Sequence, residues 1–463
     1  MVSFAEAIDM QEARTENGMK TLASSLNKCV DFFYHAGAMR GQPAEKLIAL
    51  FTAAYVESPD TALRLMLWLR DPRGGAGERQ LFRVLLAHVA VQYPKWTVQL
   101  LNKISEIGRW DDAWESLGAT EQVVQLCVDR IRAVSGATDL LAKWFPRKGP
   151  LFNQVRSVLG VTPKWLRQWL VAHNKVVETP MCANRWKEIN YAQVPSRASM
   201  IYKKAFTRHD TEGYASFIKK VESGEETINA NVLYPYEVYR ELRKDPFNKT
   251  AVVQWAALPN YLGDNSVLAM VDVSGSMMGI EKPAPIDVSV SLGLYCADKL
   301  KGAFKDCFLT FSGKPELLNL RGNIVQKIQQ MERSSWGMNT NLHAAIDLVL
   351  RVGITHDVAP ADMPKMLLVI SDMQFDQCAQ YDNTAMQMIA RKYEASGYTM
   401  PQIVFWNVRD SNGIPARYNT QGVALVSGFS PAIMKSVLAA DLESMSPIAV
   451  MLKAISDKRY DLP

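Results

Sequence analysis

Along residues 20 to 260 apolar positions recur at three- and four-residue spacing, whereas beyond residue 260 they bunch into short continuous runs. The first rhythm predicts amphipathic helices, each hiding one stripe. It is clearest in EKLIALFTAAYVE (45–57), TALRLMLWLRD (61–71), ERQLFRVLLAHVAVQY (78–93), TVQLLNKISEI (97–107), EQVVQLCVDRIRAV (121–134) and KWLRQWLVAHNKVV (164–177). Short breaks containing Gly, Pro or Asp separate them, which predicts a helical-repeat array of HEAT-like kind. No repeating consensus accompanies the pattern, which leaves open whether the array closes into a ring.

The second rhythm predicts strands at 266–272, 307–312, 365–371, 402–408 and 422–427, with helices at 285–301, 322–332, 341–352, 383–396, 430–439 and 446–457. Alternation of this kind gives a parallel, doubly wound α/β sheet with helices on both faces. The change of pattern sets the expected boundary near residue 260: an α-helical domain over 1–260, then an α/β domain over 261–463.

Composition narrows the class. Hydrophobic residues at 48% and charged residues at 21% are ordinary for folded globular chains. The polar, acid-containing N-terminus is unlike a signal peptide, and no apolar run reaches the roughly 18 to 20 residues of a membrane span. Cys29, Cys127, Cys182, Cys296, Cys307 and Cys378 are scattered singly, arguing against zinc or a disulfide framework and for a reducing, cytoplasmic setting. Charge is uneven: residues 143–208 hold 13 Lys and Arg against Glu178 and Glu188 alone, so any polyanion-binding footprint is expected there. Within it, Lys143, Arg147, Lys148, Arg197, Lys203, Lys204 and Arg208 are the candidate polyanion-binding cations. The neighbouring Trp144, Phe145, Tyr202 and Phe206 have helical spacing that favours core packing over base stacking.

Ligands of open α/β sheets bind outside the carboxyl ends of strands. There the first predicted strand ends in SVLAMVDVSGSMMG (266–279), which places Asp272, Ser274 and Ser276 at its tip. Asp and Ser in such a place also cap turns, so the triplet alone is ambiguous. No second aspartate two residues after Asp272, no G-x-S-x-G elbow and no Walker or dinucleotide glycine motif is present. No enzyme is therefore expected. RGGAGER (73–79) and GRWDD (108–112) fit turns between helices, with Asp111 or Asp112 as caps.

The D-x-S-x-S triplet resembles the metal-ion-dependent adhesion site of von Willebrand factor A domains. WGMNTNLHAAIDL supplies Thr340 at a helix start, and KMLLVISDMQ supplies Asp372 at a strand end. The resemblance implies Mg²⁺ or another divalent cation, bound directly by Ser274 and Ser276, through water by Asp272 and Asp372, and by Thr340 according to ligation state. Oxygen ligands of this type suit a hard cation and leave a vertex for an acidic partner group. DPRGGAGERQLFR, GRWDDAWE, KWFPRKG, NRWKEINYAQVPSRASMIYKKAFTRHD and INANVLYPYEVY resemble the DUF2828 family, a helical region joined to a von Willebrand A-like domain. That architecture is similar to Ro and other TROVE-module proteins, which bind single-stranded or small structured RNA. The expected function is thus a Ro-like RNA-binding protein, a ribonucleoprotein component with no membrane and no small-molecule substrate. The alternative is a protein-interaction scaffold or assembly factor that uses the metal site without RNA.

Overall fold

The computed structural model describes residues 12–134, 136, 139–279, 281–311, 313–334, 336, 339–377, 384–439 and 445–462. Helices form where apolar stripes place them, at Ala44–Glu57, Pro59–Arg70, Arg79–Gln92, Thr97–Ile107 and Glu121–Ala133. The Pro163–Ala172 helix stops five residues short of the apolar pattern's end. There the His173 backbone N–H bonds the Trp169 carbonyl, and its ring Nδ1 lies 2.8 Å from the same oxygen. Among the described residues no helix is long and apolar enough to cross a membrane.

A hairpin of β1 (Glu12–Arg14) and β2 (Lys20–Leu22) precedes the helices. Three residues per strand are too few for an alternation signal, so the sequence gives no warning of it. The main sheet contains β3 (Val267–Asp272), β4 (Cys307–Phe311), β5 (Glu316–Asn319), β6 (Met366–Ser371), β7 (Gln402–Asn407) and β8 (Val423–Ser427). Its order is β5-β4-β3-β6-β7-β8, parallel throughout except for the antiparallel β4–β5 edge. Strands β3 and β6 are buried along their whole length, hence their unbroken apolar runs. The unforeseen β5 alternates half-buried and exposed residues over only four positions. Chain order reverses between β3 and β6, so the crevice for a ligand opens at the tips of those two strands.

The helical region touches the α/β unit at both its ends. At its start, helix Lys28–Ala36 lies on β8, where Ser427 Oγ donates to the Phe33 carbonyl and accepts from Gly37 N, each at 3.0 Å. A Cβ on Gly37 would stand 2.4 Å from the Ser427 carbonyl oxygen, so glycine is required by the close approach. At its end, Arg243 of helix Pro235–Lys244 pairs with Asp287 at 3.2 Å, and Trp255 Nε1 donates to Asp298 at 3.1 Å. One continuous apolar core joins these parts. Ile189, Tyr191, Val194, Phe206, Tyr214, Phe217, Ile218, Ile228 and Val253 form a second, smaller core beneath the basic helices.

Candidate metal centre and basic surface

Asp272 is the last residue of β3, and Ser371, the last of β6, lies beside it. The Asp272 carboxylate is fully buried; it accepts from Ser274 N at 2.9 Å and from Ser371 Oγ at 2.5 Å. A 3-10 turn over Gly275–Met277 folds Ser276 back, bringing its Oγ within 3.1 Å of Ser274 Oγ. Asp372, 1% exposed, accepts from Gln374 N through Oδ1 at 3.2 Å. Met373 beside it adopts φ +63°, a left-handed conformation that is strained for a side chain of this size.

Thr340 comes from a third loop, just before helix Leu342–Thr355, which Asn341 caps through Ala344 N. Its carbonyl accepts from Asp376 N at 3.0 Å, tying this loop to the one that carries Asp372. The five expected positions thus lie on three neighbouring loops at the carboxyl edge of the sheet. Two buried oxygens in this set have no hydrogen-bond partner: Thr340 Oγ1 and Asp372 Oδ2. Buried polar atoms are rarely left so. A hard cation would satisfy both, so the donor set fits such an ion. No cluster of three His, Cys, Asp or Glu side chains suited to a metal occurs among the described residues, and this hydroxyl-rich set is of a different type.

The electrostatics agree. Burial first, then the charge of Asp372, pushes the Asp272 carboxyl up to about 7, against hydrogen bonds from Ser274 and Ser371. Burial also pushes Asp372 up, opposed by Ser276, the Gln374 amide and the charge of Arg409. A cation beside both would reverse these preferences.

Sequence reasoning misses three contributors. Arg409, just past β7, donates to the Ser276 carbonyl at 2.7 Å, stands 3.8 Å from Asp372 Oδ2 and pairs with Glu281 at 3.1 Å. The rule of polar residues at strand ends would have found it. Ser371, the last residue of β6, falls under the same rule, whereas the β1–β2 turn carries no such signal. In that turn Thr15 Oγ1 donates to the Phe375 carbonyl, Asn17 Nδ2 to the Gln374 carbonyl, and Glu16 N to Gln374 Oε1, at 2.6 to 2.7 Å.

The basic candidates divide. Lys143 pairs with Glu178, Arg197 with Glu237 and Lys203 with Glu241. Arg147 is half-buried, with Nη1 unpartnered. Lys148, Lys204 and Arg208 are exposed and make no ion pair among the described residues. Phe145 and Phe206 are core residues, and Trp144 lies under the Arg109 guanidinium at 3.5 Å. The accessible aromatics are others. Trp165, 43% exposed, lies between exposed Lys164 and Arg167, and Trp186 stacks on His209 at 4.4 Å beside exposed Lys187 and Arg208.

The turn blocks have structural roles. Glu78, buried, takes a two-pronged ion pair from Arg40 at 2.6 and 3.1 Å. Asp112 accepts from Arg70 Nε and Arg83 Nε at 2.8 Å and from Arg109 N at 2.9 Å, a buried ionic hub. The cap expected at GRWDD is instead this hub, because two arginines from other helices converge on it.

The domain-of-unknown-function model DUF2828 matches residues 15–111 and 150–268. That match takes in most of the helical region. A second model of unknown function, DUF7788, matches 266–457, so the DUF2828 region leads directly into the sheet that carries the metal-centre candidates. An uncharacterised protein, L728 of Acanthamoeba polyphaga mimivirus, is 28% identical over 503 aligned positions, covering 95% of this chain and 86% of that protein. The crystal structure of the Deinococcus radiodurans Ro (RSR) protein is similar with a TM-score of 0.41 at 12% identity, covering 94% of this chain and all of that one.

Proposed function

We propose that this protein is a non-enzymatic RNA-binding scaffold whose α/β unit holds a divalent cation. The RNA reading rests on one observation: Lys148, Lys164, Arg167, Lys175, Lys187, Lys204 and Arg208 are all exposed without an ion pair among the described residues. Unpaired cations release counterions from a polyanion, and Trp165 and the Trp186–His209 stack offer faces for unpaired bases. On this reading single-stranded or small structured RNA is the partner. Binding of a single-stranded RNA is expected to weaken steeply from 50 to 200 mM salt, and Lys204→Glu/Arg208→Glu is expected to reduce both affinity and salt slope. Salt-independent or absent binding by fluorescence anisotropy overturns the RNA reading.

A second reading is favoured by the unpartnered Thr340 and Asp372 oxygens. Ser274, Ser276 and Thr340 hydroxyls, with Asp272 and Asp372, would hold Mg²⁺ or a similar ion. Such an ion supplies a positive docking point for a carboxylate of a protein partner. This use needs no RNA, and the two readings are compatible in one molecule.

A further inference from the structure

A cleft of about 460 Å³ opens between helix Pro235–Lys244 of the DUF2828 region and the 281–285 loop of the α/β unit. That volume is in the range of small-ligand sites. Its charged walls are Arg40, Glu237, Arg240, Glu241, Lys244 and Lys282. Each wall carboxylate is neutralised from outside the cleft, Glu237 by Arg197 at 2.9 Å and Glu241 by Lys203 at 2.5 Å. Arg40 is held by Glu78, while Arg240 reaches Asp287 only at 3.4 Å and shares it with Arg243. Lys244 and Lys282 remain, exposed and without an ion pair among the described residues. They come from the two different regions and face one cavity.

Two ammonium groups about one cavity, with both wall carboxylates already ion-paired, leave a surplus positive potential that an anion would lower. The same ion pairs tie the cleft to helix Ser196–His209, which carries unpaired Lys204 and Arg208. Surplus charge is therefore present both in the cleft and on the helix tied to it. A ligand with anionic groups at repeated intervals matches such an arrangement better than a single carboxylate does.

We propose that this cleft is a phosphoryl-binding site in which Lys244 and Lys282, flanked by Arg40 and Arg240, grip a phosphate and so bridge the helical region and the α/β unit. The phosphate belongs to an RNA strand or to a free polyphosphate such as a nucleotide. The strand alternative rests on the RNA reading above, whereas the phosphoryl chemistry of the cleft does not.

The test uses the full chain and its Lys244→Glu and Lys282→Glu variants, with a fluorescent single-stranded RNA, ATP and polyglutamate as probes. Both lysines are exposed, so the variants are expected to melt as the wild type does. Each is expected to lower RNA affinity about tenfold near 0.1 M salt and to reduce the salt slope by about one. Loss of ATP binding in both variants, with no RNA binding by the wild type, would support the cleft as a free-polyphosphate site and sink the RNA reading. RNA affinity that falls in Lys204→Glu/Arg208→Glu but not in either cleft variant, with ATP binding unchanged, would overturn the cleft and leave the RNA reading standing. Polyglutamate bound as tightly as RNA, and lost in both cleft variants, would overturn the phosphoryl assignment.

Discussion

Asp112 in the helical region and Asp372 in the α/β unit are both carboxylates carried below the surface, and the fold treats them oppositely. Asp112 is met by two guanidinium groups and a backbone amide, all within 2.9 Å. Asp372 keeps Oδ2 without a hydrogen bond, its cation Arg409 standing 3.8 Å away, and it faces a second buried acid in Asp272. A buried charge that is fully paired explains itself as part of the scaffold. One held by a single distant guanidinium beside another of like sign is a costly arrangement that a bound cation or a proton would relieve.

The comparison breaks most visibly under substitution. Asp112→Ala is expected to destabilise by about 3–5 kcal/mol, because it strands the buried Arg70 charge and leaves Arg83 only its outer partners Asp111 and Glu115. Urea denaturation should show this loss equally with and without Mg²⁺. Asp372→Asn should act with the opposite sign. Relieving the repulsion with Asp272 should stabilise the metal-free protein at pH 8 by about 1–2 kcal/mol, on the scale of one pKa unit of interaction. The same variant should abolish any Mg²⁺-induced rise in melting temperature. A metal-free loss as large as that of Asp112→Ala would show that Asp372 is structural after all.

The comparison also has a pH dependence. The folded Asp272 carboxyl lies at about 7, above its ordinary value near 4. A raised carboxyl contributes stability that is present below pH 4 and lost as pH rises through 7. Metal-free wild type should therefore fall behind Asp272→Asn in melting temperature between pH 5 and pH 8, and Mg²⁺ should close the gap. A constant difference across that range would place the Asp272 carboxyl at its ordinary value.

How much of this was legible follows from what each feature requires of the chain. The helical and α/β patterns follow from period, because a stripe or an apolar run is written in consecutive residues. Asp272, Ser274 and Ser276 are legible as a local triplet, and Thr340 and Asp372 through resemblance together with their stations at element ends. Arg409 and Ser371 stand at strand ends, yet what they contact, like what Asn17 contacts, is set only by the tertiary fold. The same holds for the basic surface: Lys203 and Lys204 are adjacent in sequence, yet one is ion-paired and the other free, since only Lys203 faces Glu241. Single-position charge counts carry no information about such pairing. Trp144 stands among cations in the sequence but is covered by Arg109, while Trp165, in a helical pattern that favours core packing, lies open.

The turn at the head of the chain has a consequence for biosynthesis. Thr15, Glu16 and Asn17 brace the loop after β6 across about 360 intervening positions, with hydrogen bonds of 2.6 to 2.7 Å. On a ribosome these residues emerge long before their partner strand exists. Closing so long a loop is an entropically late event, because distant contacts reward the chain only after everything between them is placed. The Asp372 loop would thus receive this brace only late, making its order a record that the chain between the two has been placed.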